Sequence, residues 1–292
     1  MAEKAYGILY GVLEEKRIIE IRDRRKVNFY YMSKGIFKSF MMYFTSGMYV
    51  FLTVSDTPRI HRGLKVKNVI SIDKVLSPNK NKPKIYFDIS IIKSGVKRIL
   101  NDPRNKLFLD FEMSMPPYTD YESFVSEIIQ VGYVLTDKDG QTLESFESYV
   151  KPHLHPKISL RTMKFLHIEQ TDIDGGIPYR DFYNKLDELI RKYNPMIFVW
   201  GKNDQLELAK LNKIHHLRNI TKQMRFIDML NLHKIYYGLK NDIGLFNAFN
   251  LYFDADLSKQ KHNAMEDAMV TKRIYDGFKH VCNHNLVVKI DS

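Results

Sequence analysis

The hydrophobic pattern of this 292-residue chain changes once, near residue 105, and that change limits the architectures open to it. Before it, AYGILYGVL, RIIEIR, VNFYYM, MYVFLTVS, LKVKNVISI and KIYFDISII are short runs rich in β-branched and aromatic residues. Between them GIFKSF, DTPRIHRG and SPNKNKPK supply the Gly, Pro, Asn and Asp that turns require. Five or six strands in so short a stretch predict a small all-β barrel, because closing the sheet removes its exposed edges.

After the change, strands and helices alternate. LFLDFEM, SEIIQVGYVLTD, TLESFESYV and MIFVW read as strands, while YRDFYNKLDELIRKY places Phe182, Leu186, Leu189 and Ile190 at helical spacing. Further helical stretches fall at 204–214, 229–238 and 263–280. The expected layering is a mixed sheet with helices on its faces. KSGVKRILNDPRNK, polar and basic with Gly95 and Asp102-Pro103, reads as the join. The expected organisation is therefore a β module over 1–92, a linker over 93–105, an α/β domain over 106–282 and a tail over 283–292.

Charge divides at the same place. Of the net +11, residues 1–105 carry +12 (21 Lys+Arg, 9 Asp+Glu) and the remainder −1. A basic module suggests a polyanionic partner, although a solvated lysine-rich surface would give the same count. The lone cysteine, Cys282, cannot form an internal disulfide, and MAEKAYGILYGVLEEK lacks the apolar run of a signal peptide. A cytoplasmic location is expected. Phe37 to Ser55 is long enough to raise a membrane span, but Lys38 and the turn signal Thr45-Ser46-Gly47 favour two strands around a turn, and no membrane partner is expected.

Three elements carry chemistry. Asp110 and Glu112 stand two apart in an apolar strand, so both project from one face. Paired carboxylates in such a setting need compensation, and a hard divalent cation such as Mg²⁺ or Mn²⁺ supplies it. Alone, Asp-x-Glu is also a common strand-end surface pattern. Asp204 follows the buried strand ending at Trp200, where open α/β sheets place their sites, and where an ordinary helix N-cap would also sit. His262 and Asp267 open the last helix. On a continuous helix they would lie about 140° apart, so His262 is expected in the preceding loop or the first turn and Asp267 on the helix proper.

Together Asp110-Phe111-Glu112, Asp204 and His262-x4-Asp267 resemble the signature of the DEDDh family of 3′–5′ exonucleases, of the RNase H-like fold. The resemblance spans about residues 106–282. Trp200-Gly201-Lys202-Asn203-Asp204, Phe226-Ile227-Asp228-Met229 and Ile243-Gly244-Leu245-Phe246-Asn247-Ala248 are similar to the Eri-like RNA exonucleases and the related sporulation-inhibitor group. Met113-Ser114 and Leu166-His167-Ile168 depart from that subgroup's Ala-Thr and Thr-Gly-Ile. The resemblance implies two Mg²⁺ or Mn²⁺ ions on Asp110, Glu112, Asp204 and Asp267, with His262 as general base. It implies single-stranded substrate with a free 3′ end, RNA ahead of DNA. Phe111, Met113, His167 and Trp200 are the expected contacts to the terminal nucleotide. A DNA-trimming exonuclease and an inert fold serving as a binding or regulatory protein are the alternatives.

The first third resembles a cold-shock or OB-type nucleic-acid module over about residues 4–76. The resemblance rests on Gly7-Ile8-Leu9, Phe29-Tyr30-Tyr31, Gly47-Met48-Tyr49-Val50-Phe51 and Lys65-Val66-Lys67-Asn68-Val69. Phe29 and Tyr30 are its expected base contacts. By strand alternation about half of these aromatics face a core whatever the function. His153-x-His155 has a spacing open to a transition metal, with no carboxylate or cysteine following nearby.

Overall fold

The computed structural model describes residues 2–79, 82–118, 124–222, 224–239, 241–254, 262–286 and 288, and the chain divides into two units, Met1–Gly95 and Val96–Ser292. The first unit holds strands β1 (Ala2–Leu13), β2 (Ile18–Asp23), β3 (Lys26–Tyr31), β4 (Tyr49–Ser55), β5 (Arg59–His61), β6 (Leu64–Leu76) and β7 (Ile85–Asp88). Alternation is clearest in β4, where Val50, Leu52 and Val54 are fully buried and the residues between them turn outward. The strands pair antiparallel in the order β3-β2-β1-β4-β6, and β3 then pairs parallel with β6, so the hydrogen-bonded path returns to its start. Leu9, Ile19, Ile21, Leu52 and Val75 belong to the core of this unit.

Two stretches differ from the pattern expected of them. The segment read as the first of two strands around a turn is instead helix α1 (Lys34–Phe40) and one 3₁₀ turn, Met41–Tyr43. Ser33 caps α1, its side chain accepting from the Ile36 N–H at 3.4 Å. Ile36, Phe37, Phe40 and Met41 pack on the core, a helical spacing that the turn-like composition conceals. Likewise KIYFDISII is strand only to Asp88. Helix α2 (Ile89–Leu100) then occupies much of the expected linker, leaving 101–105 irregular. Ile89, Ile92, Val96, Ile99 and Leu100 are its less exposed apolar positions, again at helical spacing. No helix among the described residues is long and apolar enough to cross a membrane.

The second unit is a mixed α/β fold. Its sheet comprises β8 (Lys106–Met113), β9 (Ile128–Thr136), β10 (Thr142–Lys151), β11 (Ile177–Pro178), β12 (Met196–Val199) and β13 (Phe226–Asp228). They lie in the order β11-β10-β9-β8-β12-β13, with β8, β9 and β10 antiparallel and β8, β12 and β13 parallel. Helices α3 (Leu160–Leu166), α4 (Gln170–Asp174), α5 (Tyr179–Tyr193), α6 (Asn203–Ile214), α7 (Met229–Tyr237), α8 (Leu245–Phe249) and α9 (Ala264–His284) surround it. Leu107, Leu109 and Phe111 of β8 join one core with α5 and α6, whereas Phe108 joins the other with α7, α8 and α9. Helix α9 runs past the boundary expected at residue 282, and 287 and 289–292 of the expected tail lie outside the described residues.

Candidate active site

The face of β8 that carries Phe108 also carries Asp110 and Glu112, because strand side chains repeat every second residue. Phe108 packs edge-on against Tyr275 of α9, ring centroids 5.3 Å apart. From Tyr275 back to Asp267 is about 12 Å of helix, and from Phe108 forward to Asp110 and Glu112 is roughly 7 to 13 Å of strand. The two elements therefore arrive together at their acidic ends.

Close approach of α9 depends on one glycine. Gly132 of β9 pairs with Asp110, and a Cβ there would stand 2.2 Å from the Met265 backbone nitrogen and 2.3 Å from the Ala264 carbonyl carbon. The helix start is also pinned by polar contacts. Asn263 caps it by accepting from the Glu266 N–H at 2.9 Å, and the Ala264 N–H donates to Gln130 Oε1 at 3.2 Å. Asn263 and Gln130 both donate to Glu147 of β10. His262 falls just outside the helix and Asp267 inside it, the arrangement their spacing predicts.

Asp204 arrives from β12. The strand ends at Val199, and the chain turns into α6 through Gly201 at φ +90°, a conformation that side chains disfavour. Asp204 is not the helix cap, since Lys202 occupies that position. It is buried, and its Oδ1 accepts from the Phe111 N–H at 3.1 Å, tying α6 to β8.

Glu112, His262 and Asp267 each offer one ligand atom, all within 4.8 Å of one another. Electrostatics extends the group to all four carboxylates. Burial first, then the charges of Asp204, Asp267 and Glu112, raise Asp110 well above the usual carboxylate range. Burial and the charges of Asp267 and Asp204 push Glu112 up to about 8. Asp267 rises to about 7, by burial and then Glu266. Asp204 is also raised by burial, against the pull of the Phe111 hydrogen bond. Every influence on Asp110 and Glu112 is unfavourable to charge, and clustered carboxylate oxygens form a donor set suited to a hard divalent cation, with the His262 imidazole beside them. The residues fit such an ion.

The expected substrate contacts divide differently. Phe111 is turned away from the carboxylates into the other core, edge-on to Phe182 at 5.7 Å, so only its backbone serves the site. Met113 packs partly against that same core, and Trp200 packs beside His233 at 5.3 Å. His167 closes α3 in the left-handed conformation with its side chain exposed. The residue of α3 that meets the site is Phe165, whose ring stacks on His262 at 4.4 Å. Nothing in the local sequence marks it, because the contact joins residues 97 apart. In the first unit Tyr30 packs largely into the core, while both it and Phe29 line a groove with Lys26, Lys65 and Lys67. The backbone N–H groups of His153, Leu154 and His155 donate to the buried carboxylate of Glu127, while the two imidazoles pack against His215 and Phe124.

A family model described as Exonuclease, of the RNase T type, matches residues 107–275. The chain belongs to the RNase T-type exonuclease family. The probable 3′–5′ exonuclease KapD of Bacillus subtilis (strain 168) is 33% identical over 172 residues, 58% of this chain and 82% of that protein. The nuclease domain of 3′hExo, a DEDDh family member bound to rAMP, shares the fold with a TM-score of 0.54 at 18% identity, covering 65% of this chain and 98% of that one. A 3′-exonuclease that recognises the histone mRNA stem-loop matches with a TM-score of 0.54 at 17% identity, over 64% of this chain and 67% of that one. The chain is thus a 3′–5′ exonuclease.

Proposed function

We propose that the chain removes nucleotides from the 3′ end of single-stranded nucleic acid, RNA ahead of DNA, with Asp110, Glu112, Asp204 and Asp267 holding two Mg²⁺ or Mn²⁺ ions and His262 as general base. The observation that carries this reading is the meeting of Glu112, His262 and Asp267 ligand atoms within 4.8 Å beside two further buried carboxylates. When bound, such ions neutralise the carboxylates, acidify the attacking water and stabilise charge on the phosphoryl group. The chain's own residues do the rest. The Phe111 N–H orients Asp204, and Gln130 and Asn263 hold the start of α9, which sets where Asp267 projects. His262, exposed at the mouth of the site and braced on Phe165, accepts the proton of the attacking water, a task suited to an imidazole.

The RNA preference rests on the likeness of Trp200-Gly201-Lys202-Asn203-Asp204 to the Eri-like subgroup. It is also supported by the two solved structures, one bound to rAMP and the other recognising an mRNA stem-loop. For the first unit, the circuit of five strands and the net +12 of residues 1–105 support an OB-like module that engages the same strand. Residues 1–92 would then gather substrate for a nuclease domain at 106–282.

The test is a ladder assay with 5′-labelled single-stranded RNA and DNA in Mg²⁺ or Mn²⁺. Shortening from the 3′ end, abolished by EDTA and by Asp110→Asn, is expected, and the relative rates choose the sugar. No ladder on either polymer with either metal refutes the reading. His262→Ala should lower kcat by about 10²- to 10⁴-fold. Its metal affinity, read by calorimetry, should stay unchanged; a matching loss of affinity would make His262 a ligand instead.

A further inference from the structure

One face of the first unit lies outside its core and presents aromatic rings to solvent. Positions 4, 6 and 8 of β1 point away from the core that Leu9 enters, Tyr10, at the bulge between Leu9 and Gly11, joins that face through its contact with Arg22, and Tyr49, Phe51 and Thr53 of β4 point the same way, between buried Val50, Leu52 and Val54. The registers Tyr6↔Phe51 and Ile8↔Tyr49 set these side chains opposite one another, and Ile8↔Arg22 adds β2 to the same face. Tyr6 and Tyr10 are 58% and 56% exposed, well beyond what packing requires. Tyr6 lies nearly parallel to Phe51, centroids 5.8 Å apart at 19°, and the Arg22 guanidinium lies 5.6 Å from the Tyr10 ring.

We propose that Tyr6, Tyr10 and Phe51, with Arg22, form a stacking platform for the unpaired bases of a single-stranded polynucleotide. The proposal rests on reading the first unit as the nucleic-acid module, and it moves the contact from the β3 positions suggested by sequence to β1 and β4. Three arguments favour this occupant. Aromatic rings stack bases without regard to sequence, and an arginine at their margin adds a cation for phosphate or base. Successive outward positions on β1 lie about 6.8 Å apart, twice the axial spacing of stacked bases. The net +12 of the first 105 residues complements a polyanion, whereas a basic or neutral apolar partner would find no complementary charge. Lys4 and Lys74 at the edges are already paired with Asp73 and Asp88, so the face meets an incoming strand with Arg22.

Binding of a fluorescein-labelled oligouridylate and of the matching oligothymidylate to the full chain, measured in EDTA so that neither is cleaved, tests the platform. Tyr6→Ala combined with Phe51→Ala should weaken both by about 5- to 100-fold while leaving the salt slope unchanged. Tyr6→Phe, which keeps the ring, should stay within about twofold. Arg22→Gln should make the slope shallower by about one. Unchanged affinity in a double variant that still melts cooperatively overturns the proposal. So does unchanged affinity with a lower mass by light scattering, which would make the face a self-association surface. Cleavage of the same oligonucleotides by the wild-type chain in Mg²⁺ is scored separately, so a failure of the exonuclease reading and a failure of the platform are distinguishable.

Discussion

Asp267→Asn should nearly abolish nuclease activity and at the same time make the metal-free protein more stable. The loss, on the order of a thousandfold or more, follows from removing one negative donor from a site whose work is charge stabilisation of a phosphoryl group. The gain follows from the sign of the pKa shift. Asp267 in the folded chain titrates at about 7, raised from the ordinary 3.8 by burial and by Glu266. The folded state therefore keeps a proton that the unfolded state releases near pH 4. Relative to low pH, folding weakens as pH rises from about 4 to 7, and above 7 the penalty is present in full. Asparagine carries no charge at any of these pH values, so it escapes the penalty and also relieves Asp110 and Glu112. In EDTA at pH 8.5 the variant should melt several degrees higher than the wild type. Near pH 4 the difference should vanish. Added Mg²⁺ should raise the wild-type melting temperature and leave the variant nearly where it was. A variant that melts below the wild type in EDTA at pH 8.5 would show that the acidic cluster is not under repulsion.

Gly132→Ala should be the most damaging small change outside the ionisable residues. The added Cβ meets the backbone of Ala264 and Met265 at 2.2–2.4 Å, and backbone at a helix start cannot rotate aside. Helix α9 must lift from β9, which strains the Gln130 and Asn263 contacts and carries Asp267 away from Asp110 and Glu112. Overpacking of this kind costs about 1–3 kcal/mol, and a displacement near 1 Å costs about 10²-fold in rate. Chemical denaturation and single-turnover cleavage read the two effects. Gly95→Ala is the control. It lies within α2 with nothing within 4 Å of the added Cβ, so it should stabilise by about 0.5–1 kcal/mol. Equal behaviour of the two variants would remove the steric argument.

The residues of the acidic site are legible in the sequence because metal chemistry restricts which side chains can serve and because their local spacing is informative. Two carboxylates at i and i+2 must share a strand face, and a histidine five residues before an aspartate shares its centre most readily from the loop or first turn of the helix that projects the aspartate. Phe111 cannot join them, since the alternation that puts Asp110 and Glu112 on one face puts the residue between them on the other. Tyr30 of β3 packs largely into the core of the first unit for the parallel reason. Residues 34–43 and 89–100 fold as helical segments where strand or linker is expected, because turn-forming and charged residues mask their apolar positions at helical spacing.

Sequence alone therefore determined that an all-β pattern gives way to alternating strands and helices, that net basicity is confined to the first third, and that Asp110, Glu112, Asp204, His262 and Asp267 are the candidates for a site. Tertiary structure alone decided that Asp204 reaches across to the Phe111 N–H rather than capping its helix, that Phe165 braces His262, that Gly132 admits α9, and that Tyr6, Tyr10 and Phe51 share an exposed face. The division has one physical cause. Periodicity reports which residues of a single element share a face, but which face meets which neighbour depends on strand register and helix docking, and those are set by packing between residues far apart in the chain.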